Sequence, residues 1–173
     1  MPFWSDPKLS PKLSFRWYAE FGYGPANIIS TYSLRSFQKP SFEIATAEYI
    51  WLNDVEYRPG LLTWNPIEIT ITDIEDVMEN NTRKLVSILT AAGYQSTDVN
   101  KPHSAIEKSP ATKALGGDMR LMQIDADGAP IEEWVLVKPF ITGVNFGQAN
   151  YAAEEIMTIS LNLRYDYAIH NLI

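Results

Sequence analysis

Cysteine is missing from all 173 residues, which removes disulfides, thiolate nucleophiles and zinc–thiolate sites together. Histidine is scarce, with two residues. His103 falls in a polar stretch and His170 near the end, neither spaced for shared metal ligation nor beside a paired carboxylate. No window approaches about eighteen uninterrupted apolar residues, and no apolar run follows a basic N-terminal stretch. Neither a membrane-spanning helix nor a signal peptide is expected. Positive charge is the minority: 14 Lys and Arg stand against 21 Asp and Glu, a net charge of −7. A free acidic domain repels nucleic acid, so specific DNA or RNA binding through a basic patch is disfavoured. A surface past which nucleic acid slides without sticking stays allowed.

The short motifs that resemble chemistry dissolve on inspection. Asp125-Ala126-Asp127-Gly128 opens like a calcium loop, but Pro130 and Leu136 occupy the sixth and twelfth positions, where such a loop needs Gly and Glu. Glu132-Glu133 and Glu154-Glu155 are adjacent residues, which in a strand point to opposite faces and cannot act jointly on one bond; both pairs read as surface charge. Ser5-Asp6-Pro7-Lys8 matches a Ser-x-x-Lys pattern in a proline-rich segment rather than at a helix start. Gly116-Gly117 and Gly143 with Gly147 do not join a strand to a helix, as a phosphate cradle requires. Asn80-Asn81-Thr82 reads as a glycosylation triplet inside a helix, without meaning here. No enzyme activity, no cofactor and no metal are expected.

What the chain does contain is alternation. Met157, Ile159, Leu161, Leu163, Tyr165 and Tyr167 share one side of a run whose other side is Thr158, Ser160, Asn162, Arg164 and Asp166. That is a strand with one face on a core and one in water. Leu13 to Phe21 alternates likewise, ending at Tyr23-Gly24-Pro25. Residues 27–37 read as another strand, and Pro66 to Thr72 turns Ile67, Ile69 and Ile71 inward. Thr72-Asp73-Ile74-Glu75 reads as a capping box opening one amphipathic helix over 73–92, with Gly93 as a left-handed cap. The polar stretch 94–117 is expected to be a long loop. Met119 to Asp125 and Ile131 to Lys138 flank a turn at Asp127-Gly128, and Gly143 to Tyr151 reads as a second loop. The expected organisation is an extended arm over 1–11, a single domain over 12–167 large enough to bury about 70% of its unfolded surface, and a tail over 168–173.

One segment does not suit a single core. Phe42, Ile44, Ile50 and Leu52 share one side of a long strand while Glu43, Ala45, Ala47, Tyr49 and Trp51 share the other. Asn53-Asp54 turns the chain into Val55 to Tyr57, and Pro59-Gly60 redirects it. A hairpin apolar on both faces near its tip reads as an arm reaching for a neighbour. Trp17, Trp64 and Trp134 read as core. Trp4, Tyr49, Trp51, Asn53, Asp54 and Tyr57 are the candidate contacts between subunits, since aromatics in arms and hairpin tips favour protein interfaces.

The order of these features resembles the tail tube proteins of contractile-tailed bacteriophages, which share their fold with contractile bacteriocin tubes and the haemolysin-coregulated protein of type VI secretion. The likeness rests on Pro40-Ser41-Phe42-Glu43 leading to Tyr57-Arg58-Pro59-Gly60, then Trp64-Asn65-Pro66-Ile67-Glu68-Ile69-Thr70 running toward the helix. It extends to Glu154-Glu155-Ile156-Met157-Thr158 through Leu163-Arg164-Tyr165-Asp166-Tyr167. It covers most of residues 12–167.

The resemblance implies a mainly β protomer with one α-helix, a sandwich or barrel. Six copies would form a hexameric ring around a continuous inner β-barrel, and rings would stack into a DNA-conducting tube. Its partners would be the sheath, the baseplate and the tail terminator, and its place the virion tail, assembled in the host bacterial cytoplasm, with no membrane insertion by the protomer. Glu68, Thr70, Thr158, Ser160, Asn162, Arg164 and Asp166 become candidate lumen-facing residues, because a strand lining a channel turns its polar side to water. A baseplate tube initiator or a tail terminator of the same fold is the alternative within this class. A soluble carbohydrate- or peptide-binding β-domain and a hydrolase using acidic pairs are the alternatives outside it.

Overall fold

The computed structural model describes residues 12–21, 29, 31–76, 80–94, 106–150 and 154–172. One antiparallel sheet has the order β1 (Trp17–Phe21), β6 (Met119–Ile124), β7 (Pro130–Val137) and β10 (Tyr167–Leu172). A second has the order β2 (Leu34–Phe37), β5 (Ile67–Thr72), β9 (Thr158–Arg164) and β8 (Phe140–Asn145). Strands β3 (Phe42–Trp51) and β4 (Asp54–Trp64) form a separate two-stranded sheet. Helices α1 (Asn81–Ala91) and α2 (Lys108–Ala114) complete the described elements.

The central pair of the second sheet shows how sequence sets register. Ile67, Ile69 and Ile71 lie directly opposite Leu163, Leu161 and Ile159, and all six are buried. Glu68, Thr70 and Thr72 lie opposite Asn162, Ser160 and Thr158 on the other face. A slip of either strand by one residue would turn its three aliphatic side chains to water, each giving up about 1.5–3 kcal/mol of burial, so the register has no close competitor. The first sheet turns Ala19, Phe21, Met119, Leu121 and Leu136 into the same core, which Leu85 and Ile88 of α1 and Leu115 after α2 close. Trp17, Trp64 and Trp134 are half-buried against it, as their strand positions predict.

Several elements depart from the sequence reading. The helix begins at Asn81, not 73. Thr72 is committed to β5, where its carbonyl accepts a hydrogen bond from Asn81 Nδ2 at 2.7 Å. Asn80 caps instead, accepting from the Arg83 amide at 2.7 Å, and Asp73 reaches across to accept from the Thr82 amide and hydroxyl at 3.2 and 2.8 Å. The triplet Asn80-Asn81-Thr82 is therefore the helix start. Gly93 does close α1 at φ 102°, with its own amide on the Thr90 carbonyl and that of Tyr94 on Leu89.

A second helix replaces part of the expected loop over 94–117. Pro110 sits in the first turn of α2, where its missing amide costs no helical bond, so the composition disguised a helix. Strand β8 overlaps the expected loop that starts at Gly143; the bulge beside that glycine gave the loop-like signature.

The long alternation at 157–167 is two strands. After Arg164 the chain corners at Tyr165-Asp166, where the Asp166 amide bonds the Val137 carbonyl at 3.0 Å and carries the chain into the other sheet. Residues expected as a tail then pair with β7 as far as Leu172. Leu13 and Phe15 precede β1 in a turn, with Phe15 exposed. Of residues 27–37, the described strand covers Leu34–Phe37, preceded by one 3-10 turn over Thr31–Ser33.

Candidate assembly interface

The separate hairpin of β3 and β4 carries an unusual surface. All of β3 is exposed, and so is all of β4 except Trp64. Phe42, Ile44, Ile50, Val55, Tyr57 and Leu62 nevertheless crowd one face, with Tyr49 and Trp51 on the other. Two-stranded sheets are marginal in water, and exposed apolar surface of this extent on an element that packs only Trp64 against the core marks a contact site.

Its geometry is specified locally. Pro59-Gly60 does not redirect the chain; it lies inside β4 at a bulge opposite Ala45. A Cβ on Gly60 would stand 3.0 Å from the Ala45 carbonyl oxygen, a tight approach that glycine makes without displacing the neighbouring strand. Two residues, Leu52 and Asn53, join the strands, and Leu52 takes φ 55° while its side chain is 88% exposed. A glycine is the ordinary occupant of such a turn position. At the root, Phe42 meets Trp64 edge-on at 5.2 Å and Trp64 meets Tyr165 at 6.0 Å. Above it, the Arg58 guanidinium lies 5.2 Å from the Tyr49 ring and pairs with Glu56 at 3.1 Å.

Of the residues expected at subunit contacts, Tyr49, Trp51, Asn53, Asp54 and Tyr57 all lie in the outer half of this hairpin and are exposed. Trp4 lies outside the described residues. Among those expected to face a lumen, Glu68, Thr70, Thr158, Ser160, Asn162 and Arg164 share the outer face of the second sheet. Ser36 joins them opposite Thr70, and Asn145 opposite Ser160. The face is hydroxyl- and amide-rich, with one acid and one base among those six. Asp166 stands apart, at the β9–β10 corner, where it pairs with Lys108 of α2.

Both four-stranded sheets are open. Their edges are β1 and β10 in one and β2 and β8 in the other, and β10 exposes Tyr167, Ile169 and Leu172. Unpaired strand edges invite pairing with another chain. Among the described residues no helix is long and apolar enough to cross a membrane, and no three acidic or histidine side chains cluster as metal ligands.

Across the full length of both chains, the protein superposes on a chain of the tube-terminating cap of the anti-feeding prophage, with TM-score 0.68 and 14% identity. A chain from the extended sheath–tube complex of PVC, an extracellular contractile injection system, matches at TM-score 0.67 and 16% identity, over 94% of this chain and 93% of that one. The fold is the tail-tube fold of contractile systems. It extends to the SPP1 tail tube at TM-score 0.51 and 11% identity, covering 94% of this chain and 80% of that one. No protein-family model matches the sequence, and no curated protein matches it.

Sequence reasoning missed one residue of this domain. Glu132 was read as surface charge, yet it is buried on the inner face of β7. Burial alone would raise its carboxyl, but hydrogen bonds from Lys12, Trp134 and Lys39 outweigh that and hold it at about 2. The available signal was its phase, since Glu132, Trp134 and Leu136 alternate inward together.

Proposed function

We propose that this chain is a structural subunit of a tail tube, assembling as hexameric rings that stack around a continuous channel. The observation that carries the reading is the hairpin of β3 and β4, whose apolar faces find no cover among the described residues. The open edges of both sheets support it, because neighbouring copies would satisfy them and close a barrel. The fold shared with chains of tube and cap assemblies supports it as well.

In this reading the outer face of the second sheet lines the lumen, where hydroxyls and amides with balanced charge give a passing acidic polymer little to grip. Passage of viral DNA, contacts with sheath, baseplate and terminator, a place in the virion tail, and assembly in the host cytoplasm follow as parts of the proposal. The role is architectural rather than enzymatic. Electron microscopy of the purified, concentrated protein is the test. Annular particles and hollow rods are expected; a monomer at every concentration refutes the reading.

The full-length match to a chain of a cap assembly favours a second reading, a terminator or initiator of the same fold. Single rings that never stack under any condition select it. Saturable binding of a sugar or peptide by an unassembled protomer would instead select a ligand-binding β-domain.

A further inference from the structure

Glu132 sits at an inward-facing position of β7, opposite Gln123 of β6 and Leu172 of β10. Its Oε1 accepts from Trp134 Nε1 at 2.6 Å and from Lys39 Nζ at 3.2 Å, while Oε2 accepts from Lys12 Nζ. His170 Nε2 lies 3.7 Å from Oε1, its ring against the indole of Trp134 at 4.5 Å. Beside it, buried Gln123 donates from Nε2 to the carbonyls of Leu13 and Arg16 at 2.8 and 2.6 Å.

Apart from Trp134 of β7 itself, the partners come from three different places. Lys12 stands where the first described segment begins, ahead of β1. Lys39 stands in the short link between β2 and β3, at the root of the hairpin. His170 belongs to the edge strand β10. A buried carboxylate is costly, and an apolar residue of similar size is often at least as stable in such a place. Stability alone therefore gives no reason for an acid here; a definite direction for the segments tied to it does.

The hairpin needs such a direction, because neither of its strands pairs with the two main sheets. On one side its root leans on Tyr165 through Trp64. The link beside Lys39 is also pinned to β5, by the Gln38 amide on the Glu68 carbonyl at 3.0 Å. Both of these contacts leave the root untied to the first sheet; Lys39 on Glu132 of β7 supplies that attachment, and Lys12 on the same carboxylate ties the segment ahead of β1 to the same point.

We propose that Glu132 is a positioning residue for assembly: one buried carboxylate holds the roots of the hairpin and of the N-terminal segment in a fixed mutual orientation. The consequence for rod growth rests on the tail-tube reading; the orientation itself does not.

The absence of cysteine makes the test direct. Paired spin labels at Asn53→Cys on the hairpin tip and Ser87→Cys on the exposed side of α1 report the direction of the hairpin in dilute, unassembled protein. A narrow distance distribution is expected for the otherwise unchanged chain. Glu132→Gln keeps the volume and an acceptor for Trp134, and Lys39→Met removes the hairpin tie alone; each should give a distribution about twice as broad. Unlabelled Glu132→Gln should need about tenfold more protein to form rods, equivalent to about 1.4 kcal/mol. Distributions that overlay for all three proteins overturn the proposal, as does a broad one in the unchanged chain. If Glu132→Gln does not fold, Lys39→Met, altering a half-exposed side chain, decides alone. If the unchanged chain forms no rods, the tube reading fails while the label distances still judge the positioning role.

Discussion

Leu161→Ala should destabilise the protomer by about 3 kcal/mol and leave the assembly surface untouched. Leu161 is fully buried at the middle of β9, with Ile69 of β5 beside it on one flank and Val144 of β8 on the other. It is held by paired strands on both sides, so the backbone cannot collapse into the space left, and the loss should lie within the range of about 2–5 kcal/mol seen for such truncations. In a chain of this length each kcal/mol moves the melting temperature by about 2–4 °C, giving a fall of about 9 °C. The contrasting change is Trp51→Ser, at a side chain 76% exposed on the hairpin, which should alter protomer stability by less than about 0.5 kcal/mol. Urea unfolding in dilute solution measures the first quantity, and sedimentation velocity against concentration measures association. Leu161→Ala should unfold earlier yet associate normally while folded; Trp51→Ser should unfold normally and associate poorly. Equal losses of stability from the two changes, or unimpaired association in Trp51→Ser, would refute the division between core and contact surface.

Glu132, at about 2 against an ordinary 4.5, is depressed, so its contribution is complete above pH 4.5 and disappears as pH falls from 4.5 toward 2. The gap sets a ceiling of about 3 kcal/mol, reduced to about 2 by the half-exposed lysines; the unchanged protein should lose that much more stability than Glu132→Gln over this window in acid denaturation, and parallel curves would count against it. Leu52→Gly relieves the positive φ at the hairpin turn, so protomer stability should hold or rise by about 0.5 kcal/mol in urea unfolding while rod formation weakens through loss of the apolar tip. Ile88→Asp should abolish cooperative thermal unfolding by placing a charge at a buried position, whereas Leu89→Asp, at a half-buried one, should fold with a lowered melting temperature.

The parts of the fold that sequence made legible are those where one residue's choice of side is forced by its neighbours. Ile67, Ile69 and Ile71 alternate, their partners Leu163, Leu161 and Ile159 alternate, and the register that buries both sets is the one observed. The hairpin was legible for the opposite reason: its apolar residues occupy both faces, so a register that lays one face on a single core leaves the other uncovered. Misread positions share a different cause. The alternation of 157–167 ran on past the Tyr165-Asp166 corner because Tyr167 keeps the apolar spacing, although the phase changes there: Ala168, opposite buried Leu136, turns to the core and Tyr167 faces out. Thr72 lost its capping role to Asn80 because its backbone was already committed to β5, a commitment that local propensity does not encode.

Glu132 was the harder case. An acid beside another acid suggests surface, and it is the lysines brought from residues 12 and 39, with the Trp134 indole, that make its burial tolerable. That pairing is set by topology across 120 and 93 positions of sequence, beyond the reach of any local pattern. The same logic locates the information that assembly would need. Direction of the arm resides in a long-range electrostatic contact, while stickiness resides in local apolar composition, so substitutions can separate the two. A hairpin that keeps its apolar faces but loses its orientation should still associate, with poor order. One that keeps its orientation but loses its apolar tip should remain monomeric.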